Sequence, residues 1–313
     1  MEPAYVLAYL LSDVGRRLRD RLKSNIMVPY INKDGLYGIP IVLPPRSVQE
    51  VVADSCRQSS ALRDQAKQRY ADAEALLADA LGLAGLTLPT PKTYTAMFSD
   101  AAAAERLDAG YFHPEKRAML AHLGRDGAQP LSAYVRSVRK MVTPSKCDPD
   151  AAVRNFDLPD ALRFHLSDDV PATTFGELGS TKKAMRPGDV AVSRLRFYLK
   201  EVAVVRTASG LPVVGSSEFY VLRPVAGAGL RAEAVVVLLR SEAVQSILKW
   251  CQNGSAHPRF DERDLLSIPV PPALLDVQDE IADLLSQSIE LERESARQLA
   301  EATARVEALV LAA

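Results

Sequence analysis

Three stretches of the chain place apolar residues at helical spacing. In residues 3–23 they recur every three or four positions, as along one face of an α-helix. Residues 48–80 and 277–309 alternate steps of three and four between apolar or small side chains, which is the 3.5-residue period of a coiled coil. The pattern predicts an N-terminal helix and two long helices, each about 50 Å long at about 1.5 Å per residue.

Between the long helices the apolar pattern changes to short runs rich in Val and aromatic residues. Such runs, separated by Gly, Pro and Ser, predict strands at residues 190–195, 201–206 and 217–222. A further short strand is predicted at residues 36–43, where two prolines close an apolar run. Residues 232–252 read as an amphipathic helix. The predicted fold class is α/β (α+β).

The segment at residues 36–50 occurs a second time at residues 265–279. The offset is constant at 229: Ile39 corresponds to Ile268, and Gln49 corresponds to Gln278. A single repeat at this distance is not a solenoid or a propeller, whose periods are about 20–50 residues. We infer a duplicated module with one long insert between its copies.

The duplication divides the chain into four predicted segments. Residues 84–273 form a complete mixed α/β domain, and residues 1–45 are the C-terminal remnant of a first domain of the same kind. Residues 46–83 and 274–313 are the long helices. Two arrangements remain open for them: an antiparallel pair within one chain, or a coiled coil between two chains.

Composition adds a weak asymmetry to an ordinary globular chain. The net charge is −1, but residues 131–224 carry 14 − 10 = +4 and residues 274–313 carry 3 − 9 = −6. A basic domain beside an acidic helix suggests an anionic partner for one and protein contacts for the other. Three cysteines without C-x-x-C spacing argue against a disulfide framework or zinc site. With no apolar run of membrane-spanning length and no signal-peptide pattern, the expected location is the cytoplasm.

Several motifs, taken together and in order, resemble one known family. They are the paired Ile-Pro and Pro-Pro junctions followed by Val-Gln before each long helix, Arg-Leu-Asp-Ala at 106–109, Gly-Asp-Val at 188–190 with Ser-Arg-Leu-Arg-Phe-Tyr-Leu-Lys at 193–200, and Ser-Ser-Glu-Phe-Tyr-Val-Leu-Arg at 216–223. On this evidence the chain resembles the specificity subunit of a type I restriction-modification system, N-terminally truncated, with one complete target recognition domain.

The resemblance implies a DNA-binding subunit without catalytic activity. Its partners would be double-stranded DNA, methyltransferase (modification) subunits, a restriction translocase subunit, and a second copy of itself or another specificity chain. It implies no cofactor in this chain, S-adenosylmethionine being expected on the methyltransferase subunit, which would dock on the acidic helices. The helices would set the distance between half-sites. Independently, the sequence contains no G-x-G-x-x-G, P-loop, H-E-x-x-H or Asn-Pro-Pro-(Tyr/Phe) motif.

Candidate DNA contacts concentrate in the most basic part of the insert. Arg194, Arg196, Tyr198 and Lys200 alternate along a predicted strand and the turn after it, so they would share one face with no acidic residue among them. A solvated sheet face is the alternative. Structural roles compete with DNA contact at the weaker candidates. Lys182 and Lys183 lie in a predicted basic loop, and Arg136, Arg139 and Lys140 recur at three- and four-residue spacing. The others are Ser216 and Ser217 after a glycine, and Ser255, His257 and Arg259 in the loop after the helix at 232–252.

Two rival functions fit the same helices. A homodimer of truncated subunits would recognise a palindromic interrupted site. A coiled-coil adaptor would organise other proteins without binding DNA. The basic strand argues against the adaptor.

Overall fold

The computed structural model describes residues 1–24, 28–254 and 256–312. The chain divides into two compact units, one formed by residues 1–70 with 287–313 and the other by residues 71–286. The predicted mixture of helices and sheets with two long helices is confirmed. Within the described residues, no helix combines the length and the apolar character that crossing a membrane requires.

The helices, in chain order, are α1 (Pro3–Leu11), α2 (Asp13–Arg21), α3 (Lys33–Tyr37), α4 (Arg46–Ala80), α5 (Phe98–Ala104), α6 (Pro114–Leu123), α7 (Ala232–Arg240), α8 (Glu242–Leu248), α9 (Glu262–Leu266) and α10 (Pro272–Leu311). The strands are β1 (Gln129–Pro130), β2 (Val135–Ser137), β3 (Met141–Val142), β4 (Ala152–Phe156), β5 (His165–Ser167), β6 (Thr173–Thr174), β7 (Lys182–Met185), β8 (Val190–Ser193), β9 (Val202–Arg206), β10 (Val213–Gly215), β11 (Phe219–Pro224) and β12 (Pro269–Val270).

The first unit is built around the seam between α4 and α10, which pack antiparallel within one chain. The hydroxyl of Ser295 donates to the carbonyl of Ser59 at 2.7 Å, and the hydroxyl of Ser288 donates to the carbonyl of Ala66 at 2.8 Å. Because Ser59 and Ser288 are 229 positions apart, as are Ala66 and Ser295, the two contacts are counterparts, and the helices are related by a local two-fold axis. The small side chains of Ser59, Ala66, Ser288 and Ser295 are buried in the seam. In this unit, therefore, α4 packs against α10 of the same chain and not against a helix of another chain.

The second unit contains two five-stranded mixed sheets. One has the order β3-β7-β10-β4-β6 and the other β2-β11-β8-β9-β5. Helix α7 packs on β8 and β9, and α8 packs against α6. A two-stranded ladder joins β1 to β12, pairing Gln129 with Val270. Most strands have two to five residues, so they are too short to show a period in the sequence.

The duplication recurs in the structure with the same offset. Helices α1 and α3 shifted by 229 give the bounds of α7 and α9. The hydroxyl of Ser12 accepts from the backbone N–H of Gly15 at the start of α2, and that of Ser241 accepts from the N–H of Val244 at the start of α8. Both serines are N-caps that satisfy an otherwise unpaired N–H.

The glutamine of each Val-Gln junction has one structural role in both copies. The side-chain oxygen of Gln49 accepts from the N–H of Glu2 at 3.0 Å, and that of Gln278 accepts from the N–H of Arg231 at 2.8 Å. Glu2 and Arg231 are the N-cap positions of α1 and α7. The glutamine therefore ties each long helix to the helix that opens its module.

Local structure overturns three of the predictions. The helix predicted at 3–23 is two helices, because Ser12 ends α1 and caps α2. Residues 36–43 are not a strand: Asn32 caps α3 by accepting from Gly35 N–H, and the segment that follows α3 has no ladder. The helix predicted at 232–252 is likewise two helices, because Ser241 ends α7 and caps α8.

Candidate nucleic-acid interface

The most basic predicted segment is a turn rather than a strand face. Strand β8 ends at Ser193, and residues 197–199 form a short 3₁₀ helix flanked by Arg196 and Lys200, with φ of 43° and 52°. The expectation that alternating residues share a strand face is therefore wrong. Residues other than glycine rarely adopt a positive φ, and such backbone strain clusters at functional positions. We call residues 194–200 the arginine turn.

Two backbone contacts fix the arginine turn to a neighbouring loop. The N–H of Arg196 donates to the carbonyl of Pro258 at 3.0 Å, and the N–H of Phe260 donates to the carbonyl of Arg194 at 3.3 Å. Between them, Leu195 and Arg259 form an isolated bridge. The strained backbone is thus held by a segment more than 50 positions later in the sequence.

An acidic side chain stands between two of the candidate arginines. Glu218 accepts from Nε of Arg194 at 2.7 Å and from Nε and Nη2 of Arg259 at 3.1 Å each. The hydrogen bonds from Arg194 and then Arg259 lower the pKa of Glu218 to about 2. The expectation that no acid accompanies these cations is wrong. Arg194 and Arg259 are positioning residues that neutralise Glu218 and join three segments.

The side chains left on the outside are Arg196 and Tyr198. Tyr198 is 57% exposed, and Arg196 is exposed as well. In the described part of the chain Arg196 forms no ion pair, whereas Lys200 contacts Glu242 at 3.5 Å. The tyrosine ring is braced edge-on by Phe197, with centroids 5.7 Å apart. The turn therefore presents one unneutralised guanidinium and one aromatic ring on a fixed backbone.

Two other predicted segments meet the arginine turn. Ser216 accepts from the N–H of Glu218 and so caps the turn that carries the glutamate, while Ser217 is exposed. His257 is exposed beside the loop that holds Arg196. Ser255 lies outside the described residues. The structure thus brings together segments at 194–200, 216–218 and 257–259, as one surface.

A second cationic group lies where β3 meets β7. Met141 pairs with Lys183, and the carbonyl of Lys140 accepts from Ala184 N–H. Arg139 pairs with Glu262 at 2.5 Å. Lys140 is exposed and Lys183 is half-buried, so these two lysines give this edge of the sheet a positive charge.

Two of the remaining candidates, Lys182 and Arg136, lie on strands. Lys182 opens β7 instead of a loop; it is buried and lies 3.6 Å from Asp157, so it is withdrawn from the surface. Arg136 lies on β2, opposite Arg223 of β11, with its side chain exposed.

Two motifs of the resemblance are structural. Asp189 is fully buried and accepts from Nε and Nη2 of Arg223 at 2.6 and 2.8 Å. The Gly-Asp-Val and Ser-Ser-Glu motifs are therefore joined by one ion pair. Arg106 donates to the carbonyls of Cys251 and Gln252 at 2.9 and 3.0 Å, anchoring the start of the domain. The sequence gives no signal for either partner, since they are far apart in the chain.

Two of the histidines make structural contacts, and one of the cysteines, Cys251, is fully buried. Among the described residues no His, Cys, Asp and Glu cluster could hold a metal ion. His113 stacks on Trp250 with ring centroids 3.7 Å apart, and His122 hydrogen-bonds the carbonyl of Leu81 at 2.7 Å. Burial raises the pKa of Cys251 to about 12, which keeps it a thiol.

No family model matches the chain, and no curated protein matches it. Among solved structures, it is similar to the HsdS subunit from Thermoanaerobacter tengcongensis, with a TM-score of 0.36, 18% identity, and coverage of 99% of this chain and 70% of that one. It is also similar to a chain from a study of complex assembly and conformational transition of the type I R-M system, with a TM-score of 0.36, 16% identity, and coverage of 98% and 70%. At these values the likeness does not assign the chain to a family.

Proposed function

We propose that this chain is a sequence-specific DNA-recognition subunit of the type I restriction-modification kind, in which the arginine turn contacts DNA. The observation that carries the proposal is the exposed, unneutralised guanidinium of Arg196 on a strained turn. The motifs of the resemblance contain this turn, and the duplicated module agrees with a two-part recognition protein.

An exposed guanidinium on a fixed backbone suits base recognition. Arginine pairs with guanine O6 and N7 in the major groove through two hydrogen bonds, which discriminate against other bases by about 1–3 kcal/mol. The carbonyl of Pro258 accepts from the N–H of Arg196, and Glu218 accepts from the side chain of Arg194. These contacts fix the backbone of the turn before DNA binds. Tyr198 next to it can donate to a phosphate or pack on the sugar. Lys140 and Lys183 would add phosphate contacts.

The length and packing of the long helices support a spacer role for them. Helix α4 has 35 residues, about 50 Å, which corresponds to about 15 base pairs at about 3.4 Å each. Hydroxyl-to-carbonyl bonds in a seam of small residues hold two such helices close together. We propose that they set the distance between half-sites and dock methyltransferase subunits, which would bring S-adenosylmethionine.

The first test is a map of methylated adenines in cells expressing the chain with its genomic methyltransferase partner. A palindromic interrupted motif would mean that two copies pair. An asymmetric bipartite motif would mean that another recognition domain takes part. Absence of methylation would favour the coiled-coil adaptor.

The second test measures DNA binding by fluorescence anisotropy on the mapped site. Arg196→Ala should weaken specific binding about 5- to 150-fold, the equivalent of about 1–3 kcal/mol, while non-specific binding changes much less. Arg163→Ala is the matched control, because Arg163 is also an exposed arginine of the same unit. Equal affinity of the Arg196→Ala and Arg163→Ala proteins for the site would refute the role of the arginine turn.

A further inference from the structure

Residues that follow the Arg-Leu-Asp-Ala motif line a pocket that the proposed function does not use. The pocket lies within the second unit and has a volume of about 580 Å³, inside the range of about 300–1,000 Å³ that is typical of small-molecule sites. Helices α5, α6 and α9 and the 3₁₀ turn at residues 109–112 form its walls. Its lining combines two aromatic rings, Tyr111 and Phe112, with three cationic side chains, Lys116, Arg117 and Arg263.

One of these cations is a buried lysine without a carboxylate partner. Lys116 is 7% exposed, and within the described residues its amine forms no ion pair. The amine lies 3.1 Å from the centroid of the Tyr111 ring and hydrogen-bonds the thiol of Cys251. Burial without an anion disfavours the ammonium form, and it lowers the pKa of Lys116. An anion in the pocket would supply the missing partner.

The carboxylates that line the pocket already have partners. The hydroxyl of Tyr111 donates to Oδ1 of Asp264 at 2.6 Å, and Asp100 pairs with Arg117 at 3.2 Å. Arg263 donates to a backbone carbonyl at 2.8 Å and, in the described part of the chain, pairs with no carboxylate. Counting Lys, Arg, Asp and Glu, the lining carries 3 − 2 = +1. The pocket is therefore suited to an anion.

The charges that α9 contributes to the pocket are not part of the duplicated framework. At the offset of 229, Arg263 and Asp264 correspond to Asp34 and Gly35 of α3. The first copy thus forms the same short helix with an acid in place of the arginine and a glycine in place of Asp264. Because the helix does not need these two groups in order to form, their position in the pocket points to a ligand.

We propose that the pocket binds a small aromatic anion, a planar ring that bears a phosphate or carboxylate group, with Lys116 and Arg263 as the partners of the anionic group. We call it the Lys116 pocket. Tyr111 and Phe112 are half-buried rings that meet edge to face with centroids 5.2 Å apart, and they would contact the ring of the ligand. Charge-assisted hydrogen bonds from the amine and the guanidinium would hold the anion. The proposal does not depend on DNA recognition, because no residue of the arginine turn lines the pocket.

The single tryptophan of the chain reports on the pocket. Trp250 stacks on His113, which lines the pocket, with ring centroids 3.7 Å apart. Titration of the full chain with phenyl phosphate should change the tryptophan fluorescence saturably with a Kd of about 1 mM or below, and calorimetry should give the same constant. Inorganic phosphate and benzyl alcohol should each bind at least about tenfold more weakly, because each supplies one half of the ligand. Benzoate in a parallel titration distinguishes a carboxylate ligand from a phosphate ligand.

Two variants locate the binding site. Lys116→Met keeps the length of the side chain but removes the amine, and it should weaken phenyl phosphate binding at least about tenfold. Arg263→Gln changes an exposed side chain of the lining and should weaken binding about 3- to 10-fold. Lys146→Met, at an exposed lysine of the same unit, is the matched control and should bind like the unaltered chain. If circular dichroism shows that Lys116→Met does not fold, the comparison of Arg263→Gln with Lys146→Met decides.

Four outcomes would overturn the proposal. Two of them are the absence of saturable binding of phenyl phosphate and benzoate by both methods, and equal affinity of the pocket variants and Lys146→Met. The third is binding of benzyl alcohol as tight as that of phenyl phosphate, which would make the pocket an apolar site. The fourth is loss of binding in Arg196→Ala with retention in Lys116→Met, because the anion would then lie at the arginine turn.

Discussion

Replacing Glu218 by Gln tests whether the arginine turn depends on the carboxylate that joins its segments. The amide keeps the size of the side chain but cannot offset the charges of Arg194 and Arg259, which approach to 2.7 and 3.1 Å. The pKa of Glu218 falls from an ordinary 4.5 to about 2. A shift of this size corresponds to at most about 3 kcal/mol. Because the side chain is 23% exposed, we expect a loss of about 2 kcal/mol.

The dependence on pH separates this charge effect from a packing effect. The folded-state pKa is lower than the unfolded one, so the stabilisation is fully present above about pH 5 and is lost as the pH falls toward 2. The cost of Glu218→Gln should therefore be largest at pH 7 and about half as large at pH 3. Urea denaturation followed by circular dichroism at both pH values measures it.

The matched control is Glu242→Gln, which removes a carboxylate that is 93% exposed and contacts Lys200 of the same turn at 3.5 Å. We expect it to change stability by less than about 0.5 kcal/mol. Glu218→Gln should also strengthen non-specific DNA binding, since it frees two cations. It should weaken the preference for the site mapped by adenine methylation over other DNA sequences. An equal cost of Glu218→Gln at pH 3 and pH 7, or no cost at all, would refute the proposed role of the carboxylate.

Three further changes probe other parts of the molecule. Asp189→Asn should destabilise the chain by about 3–5 kcal/mol, measured by urea denaturation, because it removes the fully buried carboxylate of an ion pair and leaves the partly buried Arg223 without it; a loss under 1 kcal/mol would contradict this. Ser295→Ala should cost about 1 kcal/mol in the same assay by removing the hydrogen bond to Ser59, and a neutral effect would show that this bond does not stabilise the seam. Charge reversal on the outer face of α10 should weaken co-purification with the methyltransferase, and unchanged recovery would count against docking there; the residues are Glu290, Glu292 and Glu294.

The sequence predicts the parts of this protein that depend on local pattern. The 3.5-residue period of α4 and α10 and the small residues of their seam follow from neighbours three and four positions apart. The duplication needs only a comparison of the chain with itself, and the caps and glutamine bonds repeat at the same offset of 229. The four-segment division of the chain and the contacts to DNA stay predictions.

The candidate site is where local pattern fails. Alternation put Arg194 and Arg196 on one strand face, but the strand ends before them, and the turn that follows is stabilised by residues about 60 positions later. Glu218 lies 24 residues from Arg194 and 41 from Arg259, so no local rule could have placed it between them. The sheets of the second unit are assembled from strands too short to show a period.

The sequence by itself determined the long helices, the repeat and the concentration of cations in the insert, because each is a property of residues close together in the chain or of direct self-comparison. Only the tertiary structure decided which cations are neutralised and which are presented on a strained turn. These depend on ion pairs and packing between distant segments, whose energies the order of residues does not reveal.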